Sequence, residues 1–227
     1  MNTDNLPNIR WAAYAVTTAA LAGLLLLLLS FTQPSEIMQL GAPGTQETVL
    51  FFPNSLLKIT FVALAVEVLA LIPVILTVHR VVSFGSNIRW VYPLTTAFGV
   101  IGAIGVAVTQ FFLAATKVPI GDCVSLSSGI GALLGTWMAL GSVCWGEQNK
   151  ILPRRFYWLS LTTGIALALI PNFVSFEGLG SPASLATNDQ LLAGLATEIV
   201  GVFIAIPIWV LWFAHALSAH SAPAPAS

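Results

Sequence analysis

The chain has 227 residues, 57% of them hydrophobic and only 7% charged, with a formal net charge of −1. A soluble domain carries about 25% charged residues, so this composition cannot coat a water-facing surface and places the chain in the membrane class. The eight Lys and Arg residues are scattered, which excludes the basic face of a nucleic-acid binder and a polybasic lipid-binding patch.

Six apolar stretches have the length needed to cross a hydrocarbon core, near 11–31, 56–78, 90–115, 124–145, 156–176 and 191–217. They predict an all-α polytopic membrane helix bundle of six transmembrane helices in one domain spanning 1–217. The Ala/Pro-rich tail 218–227 is expected to be disordered. Arg10 before the first stretch resembles a secretory signal. The apolar run is longer than a signal core, however, and no small-x-small site follows Leu29, so a retained helix is expected. Residues 33–55, with Pro34, Gly41, Pro43 and Gly44, read as a long loop.

The second stretch carries Lys58 near one end and Glu67 about ten residues in, roughly 15 Å deep. In the third, Gly99 with Ala103 and Gly102 with Gly105 offer small surfaces, and Gln110 sits near the outer end. The fourth repeats small residues every four positions, at Ser127, Gly131, Gly135 and Ala139, a face on which a neighbouring backbone can approach closely. The third and fourth helices are therefore expected at the centre of the bundle. Cys123 and Cys144 lie on one helix, about 30 Å apart, and cannot bridge each other.

The fifth stretch ends near Asn172. The sixth carries Glu198 about seven residues in, roughly 10 Å deep. Pro73, Pro171 and Pro207 interrupt the second, fifth and sixth helices and are expected to kink them. Trp11, Trp90, Trp145, Trp158, Trp209 and Trp212 read as an aromatic belt at the inner boundary.

Lys/Arg bias fixes the expected orientation. One side holds Arg10, Arg80, Arg89, Lys150, Arg154 and Arg155, the other only Lys58 and Lys117. Both termini are therefore expected on the cytoplasmic side of a multi-pass protein of the inner (plasma) membrane. The odd helices also open alike. Asn8-Ile9-Arg10-Trp11 and Asn87-Ile88-Arg89-Trp90 each precede a Thr-Thr-Ala, and Arg155-Phe156-Tyr157-Trp158 precedes Thr162-Thr163-Gly164. Either three helices meet the same interface chemistry, or a helical hairpin is repeated three times.

Glu67 and Glu198 are the residues that stand out chemically. A carboxylate near the bilayer centre costs ~2.5 kcal/mol or more and usually faces the bundle interior. The pair, with Gln110 and Asn172 in the same outer half, forms a candidate ligand or ion pathway, and Ser125, Ser127 and Ser128 add to a polar vestibule. The alternative is structural: each group simply satisfies a hydrogen bond between helices. His79 and His215 stand at helix ends, a poor place for paired haem ligands, and no Cys/His cluster has metal spacing. No cofactor is expected. No nucleophile, phosphate loop or His/carboxylate pair indicates an enzyme.

Three features resemble a group of small polytopic membrane proteins known as domain of unknown function 4386. They are the small-rich helix over 129–146, the loop Lys150-Ile-Leu-Pro153-Arg154-Arg155-Phe-Tyr-Trp158, and a last helix with Glu198, Trp209 and Trp212. The resemblance lies mainly in 129–217; the loop 33–55 has no counterpart in it. It implies a six- or seven-helix fold and brings no activity or catalytic residue. The expected function is that of a non-enzymatic accessory subunit or small binding protein. Its partners would be the lipid bilayer and a membrane protein or a second copy. The alternative is a small transporter or channel using Glu67 and Glu198.

Overall fold

The computed structural model describes residues 6–34, 36–40, 48–81, 91–116, 120–146, 154–173 and 199–221. Six helices carry the fold among them: α1 (Leu6–Ser30), α2 (Ser55–Val81), α3 (Val91–Ala115), α4 (Ile120–Gly146), α5 (Arg154–Phe173) and α6 (Ile206–Ser221). A π-helical segment, Gly201–Ala205, leads into α6. Four stretches, Ile9–Ser30, Ser55–Arg80, Val91–Ala115 and Gly201–Ser218, are long and apolar enough to cross a membrane. The described residues are helical as the apolar stretches predict, with several boundaries shifted by a turn or so; the expected end of the fifth stretch, 174–176, and start of the sixth, 191–198, lie outside the described residues. Two expectations about the joins change. The segment read as a loop contains an antiparallel ladder, β1 (Glu36–Leu40) with β2 (Thr48–Phe52), Glu36 opposite Phe52 and Leu40 opposite Thr48. Its β-branched and aromatic residues favour strand on either side of the Gly/Pro-rich stretch. The tail also starts later than expected, because α6 continues to Ser221.

Local chemistry fixes the first two helices. Pro7 lies in the first turn of α1, where a missing N–H costs nothing. Asn54 caps α2 by accepting the Leu57 N–H at 2.9 Å, and its amide donates to the Ser30 carbonyl at 2.9 Å. One side chain thus starts α2 and ties it to the end of α1.

Each of α1 to α5 packs along its sequence neighbour, and the last helix closes the array against α1, meeting α5 over a short stretch. α1–α2 and α3–α4 pack as hairpins, while the described part of the last helix meets α5 over a short stretch and the join between the two, 174–198, lies outside the described residues. Among the four long apolar spans the last is the most buried, ahead of α3.

The small residues of α3 meet α4 as expected. A Cβ at Gly99 would fall 2.8 Å from Trp137, at Gly102 2.9 Å from the Leu134 nitrogen, and at Gly105 2.7 Å from Ile130. α4 and α5 are closer still, backbone against backbone: a Cβ at Gly135 would meet the Ala168 nitrogen and lie 2.7 Å from the Gly164 carbonyl, and one at Gly164 would meet the Ala139 nitrogen and lie 2.8 Å from the Gly135 carbonyl. Gly131 departs from the expected packing face, since nothing among the described residues lies within 4 Å of its Cβ position. Of the four-residue repeat, Ser127 bonds to Gln110 of α3 and Gly135 and Ala139 meet α5, so Gly131 alone departs from it.

The tryptophans divide. Trp11 and Trp158 are exposed, as a belt requires, while Trp209 is fully buried. It stacks on Phe213 at 5.6 Å and on Phe156 at 5.1 Å, meets Trp137 edge-on at 5.7 Å, and donates its indole N–H to Ser160 Oγ. The belt reading is wrong for Trp209 because its polar edge finds a partner inside the protein. Trp90 and Trp145 lie outside the residues described to side-chain level.

The prolines act unequally. α2 runs unbroken through Pro73, which faces outward. Pro171 lies within α5. Only Pro207 is accompanied by a change of helix type, the π segment immediately before it.

Candidate functional site

Glu67 sits midway along α2 on the face that buries Thr60, Leu71, Val74 and Val78. It is 0% exposed, and neither carboxyl oxygen has a hydrogen-bond partner among the described residues. Buried polar groups are normally paired, and an unpaired one costs about 1–3 kcal/mol. Apolar packing alone would not keep a glutamate here.

Gln110, on α3, is also buried. Its amide donates to Ser127 Oγ of α4 at 2.6 Å, while its Oε1 has no partner. Gln110 thus spans two helices and does not line an open vestibule with Ser127. The depth of Gln110 against Glu67 follows from His79, whose Nδ1 lies 2.9 Å from Thr96 Oγ1 and whose ring stacks on Tyr92 at 4.6 Å. Counted from these contacts, Glu67 stands opposite about Val106, so Gln110 is roughly one turn, ~6 Å, further out. The two groups occupy neighbouring helices at similar depth without bonding to each other.

Of the other expected site residues, Asn172 lies on the last turn of α5, and the expectation for its side chain lies outside the described residues. Glu198 also lies outside them. Lys58 is half-buried near the start of α2, over two turns from Glu67. Among the described residues no group of three His, Cys, Asp or Glu side chains comes together to hold a metal ion.

Two features escaped the sequence reading. The first is the π segment before Pro207. The Ile206 N–H bonds to the Gly201 carbonyl, and residue 207, being proline, has no N–H. The carbonyl of Val202 therefore has neither its α-helical nor its π-helical donor, and that of Phe203 loses its α-helical donor. A Gly six positions before a Pro inside an apolar helix is the signal that could have revealed this break.

The second is a laterally open groove of about 490 Å³ between α5 and the last helix. Leu159, Thr162, Thr163 and Ala166 line one wall, and Val200, Gly201 and Ala205 the other. Besides Leu159 and Val200 the walls carry small and hydroxyl-bearing residues, the kind that lets helices approach closely in a membrane. Compared with known proteins, the chain matches no family model, no curated protein and no solved structure.

Proposed function

We propose that the chain is a six-span protein of the inner (plasma) membrane with both termini cytoplasmic, acting without catalysis as an accessory subunit or small binding protein. Its partner is a transmembrane helix of another membrane protein. Support for the orientation is the six-against-two division of Lys and Arg. The observation that carries the partner reading is the groove between α5 and the last helix. Its Thr162, Ala166, Gly201 and Ala205 are small, and such seams serve helix association in lipid. Membership in the family that residues 129–217 resemble fits such a fold and adds no activity.

A photo-crosslinking residue placed at Thr162 or Ala205 in native membranes tests this reading. Discrete adducts from both positions, and none from Leu25 on the exposed face of α1, are expected. Adducts between two copies of the chain would make the partner a second protomer. Absence of any protein adduct from the groove sinks the subunit reading.

One observation favours a second reading, a small transporter or channel. Glu67 is a buried carboxyl that the packing does not need, and Gln110, Asn172 and Glu198 would complete its pathway. Melting of the purified protein across pH and candidate solutes distinguishes the two, because a bound solute raises stability by mass action.

A further inference from the structure

Two buried side chains on adjacent helices carry oxygens that no described residue satisfies. Glu67 of α2 leaves both carboxyl oxygens unpartnered, and Gln110 of α3 leaves its Oε1. The Gln110 amide is held by α4, since its N–H donates to Ser127 Oγ at 2.6 Å, and the oxygen is the atom left over. Gln110 stands about one turn, ~6 Å, from the level of Glu67, toward the end of α2 that Asn54 caps. The two side chains lean so as to narrow that offset. A helical side chain tilts toward its own helix N-terminus. α2 and α3 run antiparallel, with His79 near the end of α2 meeting Tyr92 and Thr96 near the start of α3. Glu67 is therefore carried toward the level of Gln110, and Gln110 toward the level of Glu67.

The chemistry of this set selects its ligand. All three oxygens are acceptors when the acid is ionised, and none receives a hydrogen bond from a described residue. The buried hydroxyls nearest in depth, Thr60 and Thr109, bring further oxygens and no charge; the Thr60 O–H is given to the Leu56 carbonyl at 3.0 Å. Such a set offers an anion nothing. One carboxylate in an apolar interior is neutralised by one positive charge, and a second charge would again be buried unpaired. We propose that Glu67 and Gln110 form a binding site for a monovalent cation, a proton or an alkali ion, shared between α2 and α3. A proton turns Glu67 into the donor that Gln110 Oε1 lacks, whereas an alkali ion takes the carboxylate and the amide oxygen together. This deepens the transporter reading by naming its ligand class and rests on that reading only for movement across the membrane. Binding stands with or without flux, and with or without a partner in the groove.

The other titratable or charged groups with described side chains on the surrounding elements are Arg10 and Tyr14 of α1, Lys58, His79 and Arg80 of α2, Tyr92 of α3 and His215 of α6. Each lies more than one turn from the level of Glu67. The side chains of Asp122 and Glu198 lie outside the described residues.

The test uses the full chain in lipid vesicles and a hydrophobic carbodiimide, which adds to a neutral carboxylic acid and not to a carboxylate. Mass spectrometry should find the adduct on Glu67, and Glu67→Gln should abolish it. For a proton, the labelling rate falls about tenfold per pH unit above a midpoint and ignores NaCl, LiCl or KCl exchanged at constant ionic strength. For an alkali ion, one of these salts slows labelling at fixed pH and does so saturably. In either case Gln110→Met should move the midpoint, in proton or salt concentration, by about threefold or more. Ser127→Ala breaks the same interhelical bond but keeps the amide oxygen, and should move it less. If Gln110→Met does not fold, Gln110→Asn, one methylene shorter, supplies the comparison. No adduct at Glu67, or labelling that ignores both pH and salt as a sealed structural acid would, overturns the site. Equal midpoints in wild type and the Gln110 variant, or equal shifts in the Gln110 and Ser127 variants, overturn the part given to Gln110. The readout is occupancy of Glu67 and needs no flux, so a site that binds without transport is told apart from a failed site.

Discussion

Replacing Gly135 by alanine probes the close backbone contact between α4 and α5. The added methyl would fall 2.7 Å from the Gly164 carbonyl oxygen and 2.8 Å from the Leu167 carbonyl carbon, where ordinary contact begins near 3.4 Å. These obstacles are backbone, as is the Ala168 nitrogen, which lies closer still, so no rotamer can relieve them and α4 and α5 must separate by at least roughly 0.7 Å. Overpacking of this kind costs about 1–3 kcal/mol, against which alanine gains up to about 1 kcal/mol over glycine in a helix. A net loss of about 1–2 kcal/mol is expected. Gly131→Ala meets nothing within 4 Å among the described residues, so it should show only the gain, about 0.5–1 kcal/mol. Unfolding in mixed micelles, followed by tryptophan fluorescence, measures both. Shifts of the same sign and size for the two variants would refute the α4–α5 packing described above.

Three further outcomes are expected. Ser160→Ala leaves the Trp209 indole N–H buried without its acceptor and should cost about 1–3 kcal/mol, with a change in tryptophan emission; an unchanged spectrum and midpoint would show that the bond is not formed. A double-mutant cycle on Gln110→Met and Ser127→Ala should give a coupling of about 0.6 kcal/mol and no more than about 1.7, and zero coupling removes the interhelical bond. Cysteines introduced at Gln39 or Val49 should react with an impermeant reagent from outside intact cells, and one at Ser83 should not; reversed labelling overturns the positive-inside orientation.

Helix existence was legible because it rests on a single requirement. A segment crossing a hydrocarbon core must satisfy its own backbone, and about 20 apolar residues between turn chemistry announce that directly. Helix adjacency was legible only where residue size decides it, as with Gly99, Gly102 and Gly105 of α3. Gly131 shares its four-residue spacing with Gly135 yet meets no neighbour, because spacing defines a face and not the length over which two tilted helices stay in contact. The same limit misplaced Trp209. A tryptophan near a helix end satisfies its indole either at the headgroups or on an internal acceptor, and Ser160, 49 residues away, is invisible to local reading.

The chemistry of the candidate site was half legible for a related reason. A lone glutamate among Ala, Val and Leu is conspicuous in any sequence, and its burial follows from the cost of facing lipid. Gln110, expected in the same outer half, does lie at similar depth on the adjacent α3; what could not be read was that the Val202 and Phe203 carbonyls of the last helix lose a helical donor. Those carbonyls arise from one proline. An α-helix continuing through Pro207 would drive its ring against the Phe203 carbonyl. The extra residue of the π turn widens the backbone there, moving the Ile206 N–H to Gly201. The clash is removed, and the Val202 carbonyl is left without a donor. A proline that shapes packing and a change of helix type are therefore the same event at this position. Its exposed counterpart, Pro73, lies on an unbroken α2 facing outward. Burial and the change of helix type before it, and not the presence of proline in the helix, are what distinguish Pro207.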